Sequence, residues 1–138
     1  AFYNAQEGVT VDLANGVVNG GYSVGTDTLM GGIKAVRGSA FDDTILGDSG
    51  ANVLEGQAGD DTIRGGGGND KLTGGTDNDL FVYDSFDFGA DVITDFDEGA
   101  ALTDVIEFDS AIFADYAAVQ AAMSQVGADV LISAGSMG

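Results

Sequence analysis

Residues 38–82 divide into five consecutive nonapeptides: GSAFDDTIL, GDSGANVLE, GQAGDDTIR, GGGGNDKLT and GGTDNDLFV. The first position is always glycine (Gly38, Gly47, Gly56, Gly65, Gly74). The sixth is a short oxygen-bearing side chain (Asp43, Asn52, Asp61, Asp70, Asp79), and the eighth is apolar (Ile45, Leu54, Ile63, Leu72, Phe81). A fixed period of this kind marks a repeat architecture, in which each unit buries its apolar face only against its neighbours. A flexible Gly/Asp linker would not hold apolar residues on a nine-residue beat.

The period dictates the local structure. Six residues rich in Gly and Asp/Asn favour a tight turn. The next three, such as Thr62-Ile63-Arg64, suit a short strand with its middle side chain inward and its neighbours outward. Two nonapeptides complete a coil, so rows 18 residues apart are expected to stack as parallel strands over a thin apolar core. The same stacking sets carboxylates on top of one another. Such a coil should be unstable unless a hard cation sits between the turns. Calcium suits this, because it accepts six to eight oxygens, main-chain carbonyls included, with loose geometry.

The segment DDTIRGGGGNDKL resembles the GGxGxDxUx repeat of the RTX (repeats-in-toxin) family. VTVDLANG and GTDTL ahead of the repeats, and LFVYD, DVITDFDEG and DVIEFD after them, are similar to the flanks of secreted metalloproteases and mannuronan epimerases of that family. The resemblance implies an all-β fold: a calcium-loaded parallel β-roll with β-rich flanks and one short C-terminal helix. It also implies ligand sets. In the family, one turn supplies carbonyls from positions two and four with the Asp at six. The turn 18 residues later adds carbonyls from positions one and three with its own Asp. Carried over, the first set is Ser39, Phe41 and Asp43 with Gly56, Ala58 and Asp61. The second is Asp48, Gly50 and Asn52 with Gly65, Gly67 and Asp70. The third is Gln57, Gly59 and Asp61 with Gly74, Thr76 and Asp79, so Asp61 would bridge two ions. Phe41 and Asp77 replace glycine at position four, which predicts distortion in the first and last turns. Asn52 removes a charge from the second set. About three calcium ions are expected in the repeats, with room for one or two more in the flanks.

Composition agrees with this reading and excludes others. The 138 residues carry 23 acids against four bases, a net charge of −19, which disfavours polyanionic nucleic acid as a partner. Nineteen of the acids are Asp, the usual loop ligand of calcium. A chain this acidic is expected to be disordered without calcium. Without His or Cys it lacks the common general base and the common zinc ligands. HExxH is absent, and Asp95–Glu107 does not fit an EF-hand loop. With no proline, self-cleavage at Asp-Pro, known in some relatives, is excluded. Catalysis by this chain is therefore not expected. No apolar run approaches a membrane span. A start at Ala1 rather than Met suggests a piece of a longer protein.

The chain reads as one module: a flank with a hairpin (1–37), the five repeats (38–82) and a cap (83–138). Val9 to Asn19 alternates around Asn15-Gly16, a type I′ hairpin signal. Residues 20–32 read as loop, with Asp27 in the GTDTL segment a candidate ligand. Ile33 to Arg37 continues the beat, with Val36 at position eight and Lys34 in place of the acid at position six. Leu80 to Tyr83 is expected to close the roll with bulky side chains. Asp91–Phe96 and Asp104–Phe108 read as strands, and Asp84, Asp87, Asp91, Asp95 and Asp97 as candidate holders of another ion. Asp115 is a good N-cap for a helix from Tyr116 to about Gln125, stopped by Gly127. Val119, Ala122, Met123 and Val126 would share its packing face. Val130 to Ser133 reads as a last strand whose partner is missing.

The function implied by the resemblance is a bacterial calcium-binding module that folds outside the cell and assists type I secretion. Its partners would be calcium and, during export, the type I exporter. The alternative is a polysaccharide-binding module contacting alginate. That needs a basic stripe, and only Lys34, Arg37, Arg64 and Lys71 are available. An ice-binding surface would need a regular Thr ladder, which Thr44, Thr62, Thr73 and Thr76 do not make.

Overall fold

The computed structural model describes residues 1–2, 4–97, 103–112 and 116–133. It is an all-β parallel roll of two facing sheets. Strands β1 (Thr10–Asp12), β2 (Val17–Gly20), β3 (Gly25–Thr28), β5 (Thr44–Leu46), β7 (Thr62–Arg64), β9 (Leu80–Tyr83) and β11 (Val105–Phe108) form one, ordered β11-β9-β7-β5-β1-β2-β3. The other is β12-β13-β10-β8-β6-β4, from β4 (Ala35–Arg37), β6 (Val53–Ala58), β8 (Lys71–Thr76), β10 (Ala90–Ile93), β12 (Met123–Val126) and β13 (Asp129–Ser133). Two short helices, α1 (Gly21–Val24) and α2 (Tyr116–Ala122), complete the fold.

The nine-residue beat becomes register. Val36 pairs with Leu54 and Leu54 with Leu72; across the core, Ile45 pairs with Ile63 and Ile63 with Phe81, all parallel. Ile45, Leu54, Ile63 and Phe81 are fully buried, one side chain per row. Each such side chain contributes about 1.5–3 kcal/mol. The flanks extend the same core. Val11 pairs with Ile45 in parallel, Leu72 with Ile93, and Phe81 with Ile106. Leu80–Tyr83 therefore does not close the roll: β11 follows it in its own sheet, and β10, β13 and β12 lie beyond β8 in the other. Tyr83 lies inside, edge-on to Phe88 at 5.0 Å and stacked on Phe108 at 5.2 Å.

Three local expectations are corrected. The first hairpin forms, but Asp12 pairs with Val17 across a four-residue loop instead of a two-residue type I′ turn. Asp12 takes hold of that loop, accepting hydrogen bonds from Asn15 N (2.9 Å) and Nδ2 (2.7 Å). Within residues 20–32, α1 and β3 form where a loop is expected. At the C-terminus the helix stops at Ala122, and Met123–Val126 is a strand paired antiparallel with β13. Its two-residue loop places Gly127 at φ 68°, the positive value that tight hairpins demand. The last strand thus has two partners, β12 and β10. Val126 points to solvent instead of sharing the face of Ala122. The expected cap residue Asp115 lies outside the described residues.

Candidate metal centre

A hydrogen-bond ladder orders the position-six side chains. The main-chain N–H of Asp43 donates to Asp61 Oδ1 at 2.7 Å, that of Asp61 to Asp79 Oδ1 at 3.0 Å, and that of Asn52 to Asp70 Oδ1 at 2.8 Å. One carboxylate oxygen of each Asp is used this way, always by the coil before it. The other is not. Asp61, Asp70 and Asp79 are at most 3% exposed, yet their Oδ2 atoms have no hydrogen-bond partner. A buried carboxylate oxygen left so costs about 1–3 kcal/mol or more.

Where the position-six side-chain oxygens point, whether bare as at Asp61 or already accepting as at Asp43 and Asn52, explains the glycine at position one. A Cβ on Gly56 would strike both Asp61 Oδ2 and the Gly74 carbonyl. One on Gly38 would strike Asp43 Oδ2 and the Gly56 carbonyl, and one on Gly47 the Gly65 carbonyl and Asn52 Oδ1. Three times, then, a side-chain oxygen converges with a carbonyl from the next coil on space that only glycine leaves open. The turns so joined are 38–43 with 56, 47–52 with 65, and 56–61 with 74. Among the described residues, no three His, Cys, Asp or Glu side chains gather on one point. Carboxylates taken at most two at a time with main-chain oxygens would be a donor set that fits calcium and not zinc.

The electrostatics give the same answer. Burial pushes Asp61 up to about 8, with the charges of Asp43, Asp79 and Asp42 adding to the push and the ladder N–H opposing it. Asp79 rises to about 7, chiefly by burial and then by Asp104, Asp95 and Asp60. Asp70 rises for the same first reason. The protein holds acids where neither water nor a base neutralises them.

The other candidate ligands lie on the same turns, with differences in detail. From the third turn on, positions two and four have positive φ: Gln57 (105°), Gly59 (103°), Gly66 (92°), Gly68 (100°), Gly75 (119°) and Asp77 (82°). The first two turns have none, at Ser39, Phe41, Asp48 or Gly50. Phe41 thus departs from the pattern, while Asp77 adopts the left-handed form that Asp tolerates. Asp43 is satisfied by the protein: Ser39 N (2.6 Å) donates to Oδ2, and Ser39 Oγ (2.8 Å) and Val9 N (2.6 Å) to Oδ1. The Asp48 carbonyl accepts from Gly67 N at 2.9 Å, and its carboxylate pairs with Lys34 Nζ at 2.7 Å. Ala58 and Thr76 end strands β6 and β8, which run on through the position-one glycine and pair Gln57 with Gly75.

The flanking acids do not gather as one group. Asp84 pairs with Arg64 at 2.7 Å, and Asp27 is exposed on strand β3, at the rim of its sheet. Asp95 accepts from Gly74 N (2.9 Å) and Gly75 N (2.8 Å). Asp91 and Asp104 continue the ladder instead, accepting from Asp70 N (2.8 Å) and Asp79 N (3.0 Å). Asp104 is a rung of the ladder that spacing alone missed. It follows its rung by 25 residues and Asp91 by 21, against 18 within the repeats.

Two sheets coiled in parallel, with buried oxygen seats at the turns, define a calcium-type β-roll. Family comparison agrees: residues 36–59 and 46–81 match the RTX calcium-binding nonapeptide repeat, in four copies. Residues 36–81 are thus RTX repeats, and calcium is the ion that such repeats bind. No curated protein matches the chain by sequence.

Proposed function

We propose that this chain is a calcium-switched folding module, non-catalytic in itself. In low calcium it is disordered; in extracellular calcium it folds, stabilises the secreted protein to which it belongs and assists type I export. The observation that carries this is the set of buried, unpartnered Oδ2 atoms on Asp61, Asp70 and Asp79. Folding without a cation must bury them bare or protonated. Folding with calcium gives them a ligand, and calcium held only by the folded state stabilises it by about 2.7 kcal/mol at a hundred times its dissociation constant. The ligands are the three sets set out above, with Asp61 shared between two.

Secretion fits a family typical of exported proteins, and no helix among the described residues is long and apolar enough to cross a membrane. Polysaccharide binding draws less support. Arg37 pairs with Glu55 on one sheet, Arg64 with Asp84 on the other, and Lys34 with Asp48 at a turn, so they form no basic stripe. Far-UV circular dichroism during a calcium titration, with magnesium as control, tests the proposal. A cooperative coil-to-strand transition with calcium alone is expected. A chain already strand-rich in excess chelator would overturn the switch.

A further inference from the structure

The ladder does not end with the nonapeptides, and its two ends are built differently. Turns 38–43, 56–61 and 74–79 lead to Asp104, whose oxygens both accept N–H groups: Oδ1 from Asp79 (3.0 Å) and Oδ2 from Asp97 (2.8 Å). That end is closed by hydrogen bonds. Turns 47–52 and 65–70 lead to Asp91. Its Oδ1 accepts from Asp70 N, setting its carboxylate over Asp70 as Asp61 is set over Asp43. Asp91 is fully buried, and its Oδ2 has no hydrogen-bond partner. Asp70 Oδ2, 3% exposed, has none either.

The loop between them is packed down as a repeat turn would be. Ala90 N donates to Asn69 Oδ1 at 3.0 Å, and Gly89 lies against the Gly68 carbonyl with no room for a Cβ. Phe88, buried on Tyr83, takes up part of the extra length. Two buried carboxylates, one directly above the other, each with an oxygen unspent, repeat the arrangement at Asp61 and Asp79.

We propose that Asp70 and Asp91 hold a further calcium ion between the last even turn and the 84–90 loop, outside the nonapeptide register. Asp70 would then bridge two ions, as Asp61 does, and main-chain carbonyls and water would complete the shell. Binding there would fasten β10 (and through it β13 and β12) to the repeats, so calcium would order the C-terminal cap as well as the roll. The rival occupant is the Tyr83 hydroxyl, buried beside Asp91 and close enough to hold its carboxyl lower, although neither atom completes a well-formed hydrogen bond.

This inference rests on the calcium-module proposal, and one experiment separates their failures. Calcium per chain is counted by elemental analysis after equilibrium dialysis, for the wild type and Asp91→Asn, with circular dichroism reporting folding. Asn keeps the acceptor for Asp70 N. The expected result is one ion fewer on a strand-rich Asp91→Asn chain. An equal count on the two chains overturns the Asp91 seat and leaves the repeat sites standing. A wild type without bound calcium overturns both. If Asp91→Asn does not fold in calcium, terbium replaces calcium in the wild type and in Tyr83→Phe. Tyrosine-sensitised emission that Tyr83→Phe loses places an ion beside Tyr83; emission left unchanged overturns the seat.

Discussion

The first two turns of the roll and the turns that follow share one sequence rule but solve its electrostatic problem in opposite ways. In residues 38–52, the protein supplies its own donors. Ser39 and Val9 surround Asp43, Asn52 stands where an acid is expected, and Lys34 neutralises Asp48. Lys34 holds the Asp48 carboxyl below its usual range, with the Gly50 N–H helping. From residue 56 onward the stacked acids are left without such donors until Asp104: Asp61, Asp70, Asp79 and Asp91 each keep a bare buried oxygen, and burial pushes all four upward. The comparison suggests a division of labour within the shared sites: the N-terminal turns enter with their own donors in place, and the C-terminal turns bring the bare oxygens that calcium completes.

Breaking the C-terminal side should have the largest effect. Asp61→Ala removes a carboxylate shared by two candidate seats and leaves the neighbouring Asp43 N–H without its acceptor. By analogy with losing one partner of a buried ion pair, it should cost about 3–5 kcal/mol in saturating calcium. Urea denaturation would show it, and a loss below about 1 kcal/mol would mean that Asp61 bridges nothing. Acid should do reversibly, without calcium, part of what calcium does. Asp61 in the folded chain sits at about 8, and Asp79 and Asp91 at about 7, against an ordinary 3.8. An acid whose folded value is raised binds more protons when folded. Its contribution is therefore fully present below the unfolded value, near 4, and is lost as pH climbs to the folded values, near 7–8. In chelator, strand content should be higher at pH 4–5 than at pH 8, and saturating calcium should flatten that dependence. A pH-independent chelator spectrum would contradict the picture of bare buried acids.

The repeats were legible because one residue type per position carries one task. Gly56 leaves the space, Asp61 supplies the oxygen and Ile63 the core contact, and 18-residue pairing follows. Spacing stops helping where loops lengthen. Asp91 and Asp104 occupy the same rungs as the repeat acids, but with three and seven extra residues before them the beat is lost. Long-range satisfaction was equally invisible, since the partner of Asp43 is a main-chain N–H 34 residues away at Val9. The C-terminal error has a different source. Val119, Ala122, Met123 and Val126 fit a helical face, yet Met123 to Val126 can also lie flat against Asp129–Ser133. A tertiary partner decided between two local patterns of similar strength.

The N-terminal side offers the small effect that completes the comparison. Lys34 is half exposed and its partner Asp48 about one-quarter exposed, so their pair is screened by water and salt. Lys34→Met keeps the apolar stem and deletes the charge. It should cost only about 0.5–1 kcal/mol in saturating calcium. The loss should shrink further in ~1 M salt, where charges are screened within roughly 3 Å. The number of bound calcium ions should not change, because Lys34 pairs with the Asp48 carboxylate, whereas the second ligand set uses the Asp48 carbonyl. Paired urea titrations at low and high salt, with an ion count on each chain, check this. If Lys34→Met instead gained an ion, the ammonium would have been occupying a cation seat. The N-terminal turns would then differ from the later ones in which cations they hold.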